Sequence, residues 1–449
     1  MSKGKTKITY VSIIPSGNIL EALKEIQKEY GDVIDLALYG VHDIEKELVS
    51  LDAFKEDLAS SHFVFIDGRG GDRLGQIMSE VLSKTDNAVL GGAMSFGTYY
   101  GSPEDSMFLR LGKFRSKGMG KMKGFSNSRT GRWVLRTVVH FMDRDIDVSS
   151  IIDKFDMTSI KDPQKFMNAM MRVEPLMRFI PGLGVLRDIK NMVFIFMCFG
   201  MGSKENMKNF LLLAASQYGN LKLREKLKAP LIPKEDMIYH PDAPKLFETL
   251  EDYKSWRSLE KDVTVGMISY GMQFFEWARP TLDLFIKELE PEANIICINA
   301  ASMSWWRTME KFFLDGERPT IDLFLWVGAY HRMTGGPMWA GPEELFRVLQ
   351  KLNVPVMAPF SMAITPLDFW KKSNVIAPLD ELCAVAAPEF DGAIEPLPAC
   401  TMVDQIDSEL DIRCIKVLPL PDRCLKSCRR ALRWIRLRKK ENRDKKVAI

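Results

Sequence analysis

Four short stretches hold residue types whose spacing can do chemistry. In VGAYHRMTGGPMW, His331 and Arg332 follow the apolar run IDLFLW. They therefore stand at the carboxyl end of a predicted strand, where open α/β sheets hold ligands. Both side chains can donate to an anion, and Gly335 and Gly336 let backbone approach a ligand closely. A structural histidine is the competing reading. RLGKFRSKGMGKMKG carries Arg110, Lys113, Arg115, Lys117, Lys121 and Lys123 with no acidic residue. Such a loop suits a polycarboxylate or phosphate partner, and equally a solvated, mobile surface. PEFDGAIEP brings Glu389, Asp391 and Glu395 within seven residues. Carboxylates this close repel, which favours a raised pKa on at least one and fits a hard cation or proton uptake. An acidic turn fixed by Gly392 is the alternative. GRGG, Gly68 to Gly71, can hold an anion on backbone amides at a helix start. It lacks the dinucleotide fingerprint and the P-loop Lys-Ser/Thr pair, so a tight turn is the simpler reading.

The elements that must position these residues alternate between strand and helix at both ends of the chain. Up to about residue 128, ITYVSIIPSG, VIDLALYG, HFVFIDGRGG and NAVLGGAM read as strands, with helices such as NILEALKEIQKEYG between them. That order predicts a parallel sheet with helices on both faces. Residues 129–235 read as helical, and ten Met between 142 and 207 suit helix–helix contacts. Residues 236–420 return to the βα pattern in VTVGMISY, NIICINA, IDLFLWVGAY and VPVMAPF. From 421 a basic helix follows, with an apolar stripe at Leu425, Cys428, Leu432 and Ile435. The fold class is thus α/β and multidomain: parallel-sheet lobes separated by a helical segment. Lys445 and Lys446 before Val447, Ala448 and Ile449 repeat the charged lead-in of earlier strands, so the end reads as the start of a further domain or as a frayed terminus.

Composition narrows the function classes. The chain has 449 residues, too many for one core, and a net charge of +3, too small to imply nucleic acid. Seven Cys without a CxxC pair read as free thiols rather than zinc ligands or disulfides. MSKGKTK leads straight into a strand, and the longest apolar run, Met192 to Met201, is too short for a bilayer. A cytoplasmic protein with no membrane span is expected.

Several stretches together resemble the large subunit of the ATP-dependent metal chelatases of tetrapyrrole synthesis, the magnesium chelatase H and cobaltochelatase N subunits. YHPDAPKLFETLEDYKSW (239–256) is similar to the family's Tyr-His-Pro segment, with Phe247, Tyr253 and Trp256 in place. VGMISYG, MTGGPMW, LQKLNVPVMAP, APEFDGAIEPL and KENMKNFLLLAASQYG resemble further family segments, and RALRWIRLRKKENRDKKVAI the helix and strand that open its next region. WKKSNVIAP and AAPEF depart from the usual pattern and mark a divergent member.

The resemblance implies metal insertion into a tetrapyrrole, with Mg²⁺ or Co²⁺ as substrate and ATP hydrolysed on AAA+ partner subunits rather than on this chain. It also implies a long C-terminal body that holds much of the chelation cavity, so that this sequence corresponds to the family's N-terminal part alone: a separately encoded half, a shortened paralogue or a cut chain, with a separate C-terminal chelatase half as a candidate partner. The candidate tetrapyrrole-binding residues are then His331, Arg332, Lys113, Arg115, Lys117, Trp339, Glu389 and Asp391, with Trp305 and Trp306 as further candidates for covering the macrocycle. No bound cofactor or resident metal is expected, and the catalytic residues are open. A non-catalytic tetrapyrrole carrier, scaffold or sensor is the alternative function.

Overall fold

Alternate residues of the first strands carry two separate apolar sets, and each set meets its own helix layer. The computed structural model describes residues 4–12, 15–66, 72–92, 107–112, 114–117, 184–225, 227–228, 230–231, 236–270, 273–300, 305–329, 343–363, 365 and 367–446. The chain forms two compact units, Met1–Ile232 with Ile406–Ile415, and Pro233–Gln405 with Lys416–Ile449.

In the first unit, strands β1 (Thr6–Ser12), β2 (Ile34–Gly40), β3 (Phe63–Ile66) and β4 (Ala88–Gly92) are parallel. β5 (Met107–Leu111) and β6 (Phe114–Lys117) extend the sheet antiparallel, giving the order β2-β1-β3-β4-β5-β6. Ile8, Tyr10, Phe63, Phe65 and Leu90 share a core with α1 (Gly17–Tyr30), α5 (Gly184–Met201) and α6 (Lys204–Gln217). Val11, Val64, Ile66 and Val89 share another with α2 (Val41–Glu45), α3 (Leu51–Ser60) and α4 (Asp72–Leu82). The period-two alternation of β-structure creates this split. Phe65 anchors the first core, with its ring centroid 5.2 Å from Tyr10 and 5.1 Å from Phe210. Ser16, Ser50 and Ser203 start α1, α3 and α6, their hydroxyls accepting from the amides of Asn18, Ala53 and Asn206.

The first part of the basic stretch, up to Lys117, forms a hairpin, and Lys121 and Lys123 lie outside the described residues. MFLRL and FRSK alternate as strands do, and Gly112, at φ +56°, supplies the left-handed turn between them. Arg115 pairs in register with Arg110, and Lys117 with Phe108; Lys113 lies outside the described residues. The helices expected within 130–183 also lie outside them, while residues 184–232 belong to the first unit.

The second unit is built on β7 (Met237–Tyr239), β8 (Thr264–Tyr270), β9 (Asn294–Ala300), β12 (Leu323–Trp326) and β13 (Val356–Met357), in the order β13-β12-β8-β9-β7. All are parallel except β7. A small ribbon, β10 (Leu314–Asp315) with β11 (Arg318–Pro319), lies between β9 and β12 in the chain. Val265, Met267, Ile295, Cys297, Leu323 and Leu325 pack with α8 (Gln273–Leu289) and with the basic helix, Pro421–Lys439. Ile268, Ile296, Ile298, Phe324 and Trp326 pack with α7 (Leu250–Trp256), α9 (Trp305–Phe313) and α10 (Glu343–Leu352) on the other face. VPVMAPF, one strand by pattern, divides into β13 and β14 (Phe360–Met362), which join different sheets. Pro359, between them, has no amide to donate to a ladder. β14 pairs with β15 (Pro398–Asp407), and β16 (Ile412–Pro419) completes that sheet.

Candidate functional site

Each parallel sheet reverses its strand order at one point. In the second unit the chain goes from β8 to β9 on one side, then to β12 on the other side of β8. The helices that follow β8 and β12, α8 and α10, belong to opposite faces. Open α/β sheets hold ligands at the carboxyl edge beside such a reversal, here between β8 and β12. β8 ends at Tyr270 and β12 at Trp326 on that edge; the connections that follow them in sequence, residues 271–272 and 330–342, lie outside the described residues. His331, Arg332 and Trp339 belong to the second connection and lie outside the described residues. The first sheet repeats the arrangement, with β2 on one side of β1 and β3 on the other, and with α1 and α4 on opposite faces. There residues 67–71, containing the Gly68–Gly71 stretch, leave β3.

The other candidates fall in different places. Glu389 is exposed and Asp391 half-buried, at the end of a helical run made of Pro378–Asp380, the π-type turn Glu381–Ala386 and Ala387–Phe390. Glu395, the third carboxylate of that group, accepts two bonds from Arg430 of the basic helix and one of 2.9 Å from Trp434 Nε1. The Arg430 guanidinium, with help from Trp434, holds the Glu395 carboxyl below its ordinary range against the opposing effect of burial. Of the three carboxylates, Glu395 is shifted downward, because a cation from a distant helix pairs with it. Trp305 is buried with its ring 5.7 Å from Trp326, and Trp306 packs half-buried on the same core. Lys113, Arg115 and Lys117 belong to the first unit, and the remaining candidates to the second.

The Tyr-His-Pro segment builds a polar cluster that residue chemistry alone did not single out. His240, 2 % exposed, accepts at Nδ1 from the Asp242 amide (3.1 Å), which leaves Nε2 to donate to Glu290 Oε1 at 2.8 Å. Arg257 Nη2 reaches the same Glu290 oxygen at 2.8 Å. Tyr253 and Trp256 flank the imidazole, their rings 6.5 and 5.0 Å away, Phe247 packs on both of them, and Tyr253 Oη donates to the Ile295 carbonyl at 2.9 Å. His240, Asp242 and Glu290 offer ligand atoms within 4.8 Å of one another. A divalent ion could use them only by displacing Arg257 and breaking the backbone bond at Nδ1. As built, the cluster ties β7 and α7 to the end of α8, a lock rather than a reaction centre. The signal for it was the fixed spacing of His240, Phe247, Tyr253 and Trp256, and its other half, Glu290, lies 50 residues on.

A cavity of about 360 Å³ opens at the opposite, amino edge of the second sheet. Its rim is charged, and Arg436 is already paired with Glu292 at 2.6 Å. Ligand binding in such sheets belongs at the carboxyl edge, so this cavity is not the candidate site.

Comparison with known proteins now bears on the second unit. The profile described as CobN/Magnesium Chelatase matches residues 197–449. This chain belongs to the CobN/magnesium chelatase family. An uncharacterized protein of Methanocaldococcus jannaschii is 28% identical over 276 residues, covering 58% of this chain and 22% of that protein. The chloroplastic magnesium-chelatase subunit ChlH of Oryza sativa subsp. indica is 25% identical over 264 residues, 55% of this chain and 18% of that one. The magnesium-chelatase H subunit of Chlorobaculum parvum is 22% identical over 296 residues, 64% of this chain and 22% of that one. The chain thus spans about a fifth of the length of the curated relatives it matches. Among solved structures, the catalytic subunit of cobaltochelatase from Mycobacterium tuberculosis aligns over 98% of this chain and 28% of its own, with 14% identity and a TM-score of 0.46.

In CobN/magnesium chelatase terms, the matched segment takes in the His240 cluster, the carboxyl edge between β8 and β12 and the Glu395 anchor. The basic hairpin and the Gly68–Gly71 connection precede it. Among the described residues, no helix is long and apolar enough to cross a membrane.

Proposed function

We propose that this chain is a tetrapyrrole-binding component of a metal chelatase large subunit. Mg²⁺ or Co²⁺ is the substrate metal, inserted into a porphyrin or corrin-type macrocycle. ATP is hydrolysed on AAA+ partner subunits, and a further chelatase half can act with this chain. The observation that carries the reading is the family match across residues 197–449. The topology supports it, because the connection bearing His331, Arg332 and Trp339 leaves β12 at the strand-order reversal. In this reading His331 and Arg332 of the second unit meet the macrocycle's carboxylates and Trp339 covers its flat apolar face, while Lys113, Arg115 and Lys117 are candidates for the same carboxylate contacts within the first unit. Glu389 and Asp391 take up protons or the incoming cation.

The test is quenching of intrinsic Trp fluorescence on titration with a metal-free porphyrin and with sirohydrochlorin. A charge-assisted bond contributes roughly 1.5–3 kcal/mol when shielded and about 1 kcal/mol or less when exposed. Replacing Lys113, Arg115 and Lys117 with Ala, or His331 with Ala, should therefore weaken binding about ten-fold or more. Unchanged affinity in both variants rejects these residues. Failure of the unaltered chain to bind either compound rejects the tetrapyrrole role. Binding without metal insertion, even with ATP, metal ion and the partner subunits supplied, turns the reading to a carrier.

A further inference from the structure

The basic helix Pro421–Lys439, α11 here, spends only part of its charge inside the protein. Arg430 binds Glu395, Arg436 binds Glu292, and Lys439 binds Asp322 and the Asp262 carbonyl. Arg423 lies over the Trp370 ring and beside Asp422. Arg438 donates to the Asp322 carbonyl at 3.4 Å. Lys426, Arg429, Arg433 and the C-cap residue Lys440 are exposed, and none of these four forms an ion pair with a described residue.

Their spacing is not scattered. At 3.6 residues per turn, positions 426, 429, 433 and 440 fall within a stripe about 60° wide that runs about 21 Å along the helix. Leu437, 43% exposed, falls at the edge of the same stripe. The opposite face, Cys424, Cys428, Ala431, Leu432 and Ile435, is buried against the second sheet, which fixes the stripe outward. Like charges three and four residues apart on a helix destabilise it. A solvated face gains nothing from that repulsion, whereas a surface that meets negative charge is stabilised when the partner arrives.

We propose that this stripe docks an acidic polypeptide, a helix carrying Glu or Asp in single file. A narrow, straight row with an apolar residue on it matches the seam between two helices. A nucleic-acid surface would call for a broader field of free cations, whereas Arg430, Arg436 and Lys439 beside the stripe are already paired with Glu395, Glu292 and Asp322. A membrane surface would call for several apolar side chains on the exposed face, where Leu437 stands alone on this helix.

The test uses the full chain and three probes: a helical peptide of about six turns with Glu repeated every three to four residues, a duplex RNA, and vesicles of phosphatidylserine and phosphatidylcholine. Fluorescence anisotropy of the labelled peptide is expected to report binding that weakens as salt rises. Changing Lys426, Arg429, Arg433 and Lys440 to Gln should weaken it roughly ten- to a hundred-fold, from four exposed pairs. Arg433→Glu should weaken binding of the Glu peptide by roughly ten-fold and be rescued by a peptide with Lys at the facing position. These residues are exposed, so the variants should keep the native circular dichroism and the porphyrin affinity of the parent, which separates this test from that of tetrapyrrole binding. Equal affinity of parent and four-Gln variant overturns the proposal. So does tighter binding of the RNA or the vesicles than of the peptide.

Discussion

Replacing Glu395 tests whether one carboxylate holds the basic helix to its unit. Glu395 accepts from both Arg430 and Trp434. Hydrogen bonds to a charged group contribute about 1.5–3 kcal/mol each when shielded. Arg430 is 41% exposed, so water screens its share, and the group together should contribute about 2–3 kcal/mol. Glu395→Gln keeps the shape and the Trp434 bond but removes the charge, and should cost about 1–2 kcal/mol. Glu395→Ala removes everything and should cost about 2–3 kcal/mol. Glu395 also stands at φ +58°, where a side chain is strained by roughly 1 kcal/mol. Glu395→Gly should therefore cost less than Glu395→Ala, although it removes the same bonds. The pH dependence follows from the lowered carboxyl pKa. A depressed folded value gives stability that is fully present above the unfolded value, about 4.3, and that is lost as pH falls through the folded one. The gap between the parent and Glu395→Gln should hold from pH 8 to pH 6 and close below about pH 4. Urea unfolding, read by hydrogen exchange at the amides of α11, measures it within the second unit. A gap under about 0.3 kcal/mol at neutral pH, or one that widens on acidification, refutes the reasoning.

Two further outcomes are expected. A Cβ added at Gly219 would lie 2.1 Å from Thr6 Cγ2 and 2.8 Å from the Ala215 carbonyl. Gly219→Ala should then cost about 1–3 kcal/mol in thermal unfolding of the first unit, and Thr6→Ala should recover part of that loss. All seven cysteines are free, and Cys383 is the one that is not buried. Burial pushes the Cys198 and Cys424 thiols up to about 12 and raises those of Cys297 and Cys428 further. Maleimide labelling of the native chain near pH 7.5, mapped by mass spectrometry, should modify Cys383 first; early labelling of Cys297 or Cys428 would contradict the burial.

How far the sequence could be read depends on the range of the interactions. β1, α1 and β3 are legible because Ile8, Tyr10, Val11, Ile19, Leu23 and Ile26 encode period and burial within one short window. The hairpin of residues 107–117 is not legible locally, because Gly112 looks the same in a turn as in a loose loop, and what decides is the pairing of Arg110 with Arg115. The split of VPVMAPF is set by where β15 arrives, some 40 residues later. The sign of the Glu395 shift lies in Arg430, 35 residues away, and the partner of His240 in Glu290. Local patterns thus reveal elements, while ion pairs and sheet membership between distant elements need coordinates.

The candidate site shows the same division. Strand order cannot be read from the chain, yet it is what gives His331 its significance. IDLFLW could have been an edge strand, in which case the residues after it would leave the sheet at its rim. Instead β12 lies beside β8, with β9 on the far side, so the connection that holds His331, Arg332 and Trp339 starts where two helices part to opposite faces. A ligand at that edge meets the start of α10, and the partial positive charge of a helix N-terminus favours a carboxylate there. The first residues of α10, Glu343 and Glu344, are themselves acidic and answer the same dipole. An anionic ligand therefore has to compete with them, and Arg332 is the cation in that connection able to tip the balance. Arg332→Gln should accordingly weaken porphyrin binding more at low salt than at high salt, while Glu343→Gln strengthens it; the reverse order in a fluorescence titration would move the ligand away from this edge.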